Sequence, residues 1–170
     1  ITYQSGGLFS AMTLAENTAL SGLAGGIAIS SGVTGEIRNA TIARNAAPGA
    51  VAFAGASTGG SQVTLRNTIV ADSVAGNSYN PISCLSAFVE GGGNLQWPVA
   101  RAGGGSDVPG ALCSASIAVT DAKLGALQSN GGSTLTIRPA ADSPANSVGA
   151  NCPVTDQRGL ARPAGACTAG

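Results

Sequence analysis

The chain of 170 residues contains no histidine, and only 9% of its residues carry charge. Without histidine there is no Ser-His-Asp or Cys-His arrangement for nucleophilic catalysis. None of the four cysteines forms a Cys-x-x-Cys pair, so no structural zinc site is expected. Eight basic residues balance eight acidic ones. No basic stripe is left to neutralise phosphates, which excludes nucleic acid as a partner. No apolar run approaches the roughly 20 residues that a membrane-spanning helix needs. Aromatic residues make up 4%, with Trp97 the single tryptophan. The glycine runs are followed by no Gly-Lys-Ser/Thr, so they are not phosphate loops. No metal and no cofactor is expected.

What remains is small and apolar. Glycine occurs 26 times and apolar residues reach 44% with a net charge of zero, which is not the composition of a disordered chain. The length suits one domain with a real core. Since Ile1 is not an initiator Met and no leader pattern opens the sequence, a mature or trimmed product of something longer is expected.

Three segments, residues 9–17, 37–45 and 65–73, align at a spacing of 28. Their columns keep their chemistry: Phe9, Ile37 and Leu65; Leu14, Ile42 and Val70; Ala15, Ala43 and Ala71; then Glu16, Arg44 and Asp72. A fixed period of roughly 20–50 residues marks a stacked array in which each unit buries its apolar edge against its neighbours. The segments are strand-like, and residues 25–32 and 49–55 read as further short strands between glycines. With two strands per period and no helical segment, the pattern predicts an all-β, right-handed parallel β-helix of about 28 residues per rung, stacked about 4.8 Å apart.

The columns carry further expectations. The alanines mark a tight place. The charged column alternates in sign and forms a surface ion ladder, worth about 0–1 kcal/mol per exposed pair. Asn39, Asn67 and Asn94 form an asparagine column at a corner, since Asn tolerates left-handed backbone. That corner role also makes the Asn39-Ala40-Thr41 glycosylation pattern coincidental. Beyond about residue 76 the period weakens, residues 91–96 being one more degraded rung and residues 103–106 a loop. Residues 1–100 are therefore read as rungs, and 101–170 as an irregular C-terminal cap of the same domain, stapled by disulfides, that shields the last rung. The first rung presents an open parallel edge, which implies upstream rungs or other subunits as its partner.

Cys84, Cys113, Cys152 and Cys167 all lie in the second half. An even count points to two disulfides and an oxidising, secreted setting. Three pairings are open. Local closure favours Cys84–Cys113 and Cys152–Cys167, each contributing on the order of 3 kcal/mol.

Several stretches form an ordered series: Asn67-Thr68-Ile69-Val70-Ala71, Gly92-Gly93-Asn94-Leu95, and Leu124-Gly125-Ala126-Leu127-Gln128-Ser129-Asn130-Gly131-Gly132-Ser133-Thr134-Leu135-Thr136. Ser143-Pro144-Ala145, Cys152, Asp156-Gln157-Arg158-Gly159-Leu160-Ala161-Arg162-Pro163 and Cys167 complete it. The series resembles the C-terminal part of bacterial secreted β-helix proteins of the choice-of-anchor Q domain type, related in pattern to polymorphic outer-membrane repeats. The resemblance implies a right-handed parallel β-helix exported to the cell surface or beyond, with no defined activity. Two departures concern the closing edge: Asn146-Ser147-Val148 replaces the usual Ile-Asp-Ala, and the Ile-Gly-Ala-aromatic-Glu segment after the last cysteine is missing.

No catalytic set emerges. A glycosidase needs two carboxyl groups about 5–9.5 Å apart, and the eight carboxylates show no such marked pair; Glu16 and Asp72 sit two rungs apart with Arg44 between them. Asp156-Gln157-Arg158-Gly159 reads as an Asp–Arg pair closing a loop. Trp97 and Tyr79, with Phe88, are the candidates for stacking on sugars. The expected function is an extracellular structural or adhesive module assembling through its open edge into a fibre or ending a larger surface protein. The alternative is a carbohydrate-binding module, contacting cell-surface glycans, or a polysaccharide-active β-helix enzyme.

Overall fold

The computed structural model describes residues 2–3, 6–21, 24–47, 56–57, 62–73, 83–84, 86–98 and 112–170. Tyr79, Asp107, the strand expected over 49–55 and the loop expected over 103–106 lie outside them. The strands are β1 (Thr2–Tyr3), β2 (Gly7–Ala15), β3 (Ile27–Ile29), β4 (Thr34–Ala43), β5 (Ala56–Ser57), β6 (Gln62–Arg66), β7 (Ile69–Ala71), β8 (Val89–Glu90), β9 (Leu95–Trp97), β10 (Ala118–Val119), β11 (Leu124–Gln128) and β12 (Thr136–Pro139). One 3-10 turn, Pro144–Asn146, is the only helical element among the described residues.

The period becomes hydrogen-bond register. β2 pairs in parallel with β4 from Gly7↔Gly35 to Ala15↔Ala43. β4 pairs with β6 from Thr34↔Gln62 and with β7 from Thr41↔Ile69, so every partner lies 28 positions on. The step then shortens: Ile69 faces Leu95 and Leu95 faces Ala118. With β8 the main sheet has seven strands, all parallel. A second sheet, β1-β3-β5, is also parallel. The chain visits the two sheets in turn, and they share one apolar core: Ile27 and Ile29 of β3 pack with Ile37, Ile42, Leu65 and Val70 of the main sheet. Burying side chains of this size stabilises by about 1.5–3 kcal/mol each. The parallel ladder runs on past residue 100, since β10 adds to β9.

Two columns of residues bend the strands through left-handed backbone. Ala11, Asn39 and Asn67 have φ of 50°, 50° and 48°; Glu16, Arg44 and Asp72 have 59°, 54° and 52°. Non-glycine residues reach this region at a cost of roughly 1–2 kcal/mol, least for Asn and Asp. Here the stack repeats the bend at equal height in each layer. The corner expected of Asn39 and Asn67 is therefore present, but Asn94 is not part of it. The shortened step aligns Gly93 (φ 71°) with Asn67, and Asn94 instead accepts the Thr68 N–H at Oδ1, 3.0 Å. Asn39 is fully buried, which closes it to glycosylation.

The C-terminal segment differs from the expected end cap. It folds back along the outer face of the main sheet as far as the first layer. Asn67 Nδ2 donates to Ala150 O at 2.8 Å while Ala150 N donates to Asn67 Oδ1 at 3.1 Å. Arg44 Nη2 donates to Leu124 O and Gly125 O at 3.0 and 2.7 Å, and Thr13 Oγ1 donates to Gln157 Oε1 at 2.7 Å. Ala122, Ala145 and Ala169 form a second apolar cluster with Ile69, Ala71 and Leu95. The reason is chemical: the outer face offers apolar side chains and a buried asparagine column, both of which need cover. The alanine column is tight for the same reason; Ala43 and Ala71 are buried, whereas Ala15 is partly open.

The bridges join Cys84 to Cys113 and Cys152 to Cys167. They serve different regions. Cys84 and Cys113 are buried in the core between the sheets, and only Cys152–Cys167 staples the wrapping segment. The reading of both as staples of a cap is corrected accordingly.

Candidate functional site

Where the wrapping segment crosses the main sheet it leaves a groove of about 380 Å³. Thr13 of β2 and Thr41 of β4 line one side, and Arg138 of β12 with Asp156, Arg158 and Arg162 line the other. Sequence places them far apart. The parallel register brings the threonines into one column, Thr13↔Thr41, and the fold-back lays the arginines over it.

The loop carrying Asp156 is built by that residue. Its Oδ1 accepts the N–H groups of Arg158 (2.8 Å) and Leu160 (3.1 Å), and its Oδ2 accepts from Arg158 Nε (2.9 Å) and Nη2 (2.6 Å). Gly159, at φ 81°, supplies the left-handed turn position that side chains resist. Burial pushes the Asp156 carboxyl up, but the Arg158 side chain and the two backbone donors outweigh it, so it ionises below the usual carboxylate value. The expected loop-closing Asp–Arg pair is thus present, and Arg158 also reaches Asn130 O at 3.0 Å.

Arg162 has a different environment. Its Nη1 and Nη2 donate to the carbonyls of Thr168 (2.9 Å) and Gly170 (3.0 Å), while its buried Nε has no partner. Burial, chiefly, and the nearby Arg158 charge lower its basicity against the pull of Asp156. Sequence reasoning passed over Arg138 and Arg162 because nothing local marks them; only the fold-back brings them to Thr13 and Thr41.

Of the residues expected to stack on sugars, Trp97 and Phe88 do not meet here, and Tyr79 lies outside the described residues. Trp97 ends β9 in the column of Ala43 and Ala71 and is 39% exposed, but it does not line the groove. Phe88 is buried in the core. The ion ladder is present outside the groove: Arg44 Nη1 lies 3.5 Å from Glu16 Oε1 and Arg44 Nε 3.9 Å from Asp72 Oδ2. Burial raises the Asp72 carboxyl despite Arg44. No group of three or more potential metal ligands occurs among the described residues.

A polar cluster ends the inter-sheet core. Gln96, aligned with Val70, is buried and accepts the Cys113 N–H at 2.8 Å. Glu90 accepts from Asn94 Nδ2 at 2.6 Å and from the Ser114 hydroxyl. These bonds join the last two layers. Comparison with protein-family models, curated proteins and solved structures returns no match.

Proposed function

We propose that this chain is an extracellular structural or adhesive module, the terminal part of a right-handed parallel β-helix whose first layer receives a further parallel strand. Each 28-residue circuit forms one rung, and the crossover between parallel strands supports the right hand, which such connections take in about 98% of cases. The observation that carries the reading is the outer edge of β2, the first long strand of the main sheet. It is nine residues long and pairs only with β4 among the described residues. Phe9, Met12 and Leu14 pack only partly against the core that buries Ile37 and Ile42 fully. A long outer strand with partly covered apolar groups beside it is a template for strand addition. The opposite end is unlike it, with β10 only two residues long and the polar cluster of Glu90, Gln96 and Ser114 beneath it. The occupant is a strand of the same repeat, from upstream rungs or from another subunit.

Export to the cell surface follows from the resemblance to choice-of-anchor Q proteins. It agrees with two disulfides and with the absence, among the described residues, of any helix long and apolar enough to cross a membrane. Sedimentation of this chain over a wide concentration range separates the two occupants. Self-association abolished by Leu8→Lys, an exposed position on β2, identifies another subunit. A monomer throughout rejects that source, and exchange protection of the β2 amides in a longer chain then tests upstream rungs. Glycan binding is favoured by one observation, the exposed Trp97 ring. Loss of binding to a glycan array on Trp97→Ala supports it, and a silent array rejects it.

A further inference from the structure

We infer that the groove between the wrapping segment and the threonine column binds a small organic oxyanion, a carboxylate or phosphate carried on a hydroxyl-bearing body. This goes beyond the structural reading and does not depend on it.

Charge comes first. Three guanidinium groups, Arg138, Arg158 and Arg162, meet one side-chain carboxylate, Asp156, in the groove wall. The chain as a whole is neutral, so this surplus is local. The three cations are not equally committed. Arg158 is held by Asp156 through two nitrogens. Arg162 spends both terminal nitrogens on the tail carbonyls and leaves a buried Nε unpartnered. Arg138 makes no side-chain hydrogen bond or ion pair among the described residues. A buried donor without a partner is costly, and planar guanidinium groups match carboxylate and phosphate oxygens.

Shape and lining come second. At about 380 Å³ the groove sits near the lower end of ligand pockets, roughly 300–1,000 Å³, which suits one small molecule rather than a chain. Neutral groups complete the lining, the hydroxyls of Thr13 and Thr41 from the sheet and the amides of Asn146 and Gln157 from the wrapping segment. Gln157 is already tethered to Thr13 and to Thr134 Oγ1 (3.0 Å), so its amide is held in place across the groove. Cations on one wall and hydroxyl partners on the other fit an acidic sugar better than a bare ion.

The test is titration of the isotope-labelled chain, followed by amide chemical shifts, with galacturonate, inorganic phosphate and galactose separately. Saturable shifts at Thr41, Arg138 and Gln157 are expected with galacturonate and absent with galactose. Arg138→Gln, on an exposed side chain that holds nothing in place, weakens binding by about tenfold, the scale of one charge-assisted contact. Arg162→Lys keeps the charge but loses the fork, and weakens binding with the tail amides still in their folded positions. Galacturonate tighter than phosphate assigns a sugar acid; phosphate tighter assigns a phosphorylated ligand or the free ion. The inference is overturned if neither anion saturates, if galactose binds equally well, or if Arg138→Gln leaves the affinity unchanged.

Discussion

The stack and the segment wrapped over it are both rich in small residues, yet they are held in different ways. In the stack each core side chain meets its own kind one layer away: Leu14, Ile42 and Val70 in one column, Phe9, Ile37 and Leu65 in another. Its backbone bonds form long parallel ladders. The wrap has one antiparallel strand pair, β11 with β12, two isolated antiparallel bridges, and three buried alanines with the partly buried Leu124 as its apolar contribution to the shared cluster. It depends on single contacts of great sequence separation, such as Asn67 with Ala150 and Arg44 with Leu124. Repetition distributes stability, and a unique contact concentrates it.

The first way to test this difference is to open the stack core. Leu65→Ala, at a fully buried site, is expected to cost about 2–5 kcal/mol in denaturant unfolding, with both regions lost together. Loss of the wrap alone would break the comparison. Cys152→Ser with Cys167→Ser removes the wrap's staple and is expected to cost about 3 kcal/mol by chain entropy. Limited proteolysis should then cut within residues 146–167 while the stack amides stay protected. Equal cleavage in both regions would show that they are not separate.

Asn67→Gly keeps the left-handed bend without strain and deletes the side chain, removing the two bonds to Ala150 together with the longer contacts to Asn39 and Cys152. An expected loss of about 1–3 kcal/mol, with fast hydrogen exchange at Ala150, is the sign of a concentrated contact. The smallest effect concerns Asp72. Its carboxyl is raised from 3.8 in the fold by burial. This contribution is therefore fully present below pH 3.8 and is lost as the pH rises through the higher folded value. Asp72→Asn should flatten that dependence and raise neutral-pH stability by at most a few tenths of a kcal/mol after solvent screening. Asp156 is lowered from 3.8 and acts oppositely: its contribution is present above pH 3.8 and is lost on acidification through the folded value. Thermal melts of Asp72→Asn and of Asp156→Asn across pH 3–6 read both signs.

How much of this was legible depended on sequence distance. The 28-residue columns are local statistics repeated, and they returned the register of β2, β4, β6 and β7 residue for residue. Asn39 and Asn67 announced a corner because their side chains tolerate it. Glu16, Arg44 and Asp72 form a second left-handed column that their chemistry did not announce, since charge reads first as surface. The wrap was legible only as a region without period. Its position rests on pairs such as Thr13 with Gln157, 144 residues apart, and no local pattern encodes such a pairing. The groove inherits that illegibility, because one wall belongs to each region.

Gly93 has a consequence for addressing. A periodic surface presents the same docking address again at each layer: Asn39 and Asn67 occupy equivalent places, as do Ala43 and Ala71. A wrap that recognised only those columns could settle one layer too early. Gly93 lies under Asn67, and a Cβ there would meet Asn67 Oδ1 and come within 2.9 Å of Val148 O. The irregular fourth layer thus differs from its neighbours where the wrap crosses it, and the break in the repeat marks one height among otherwise equivalent ones.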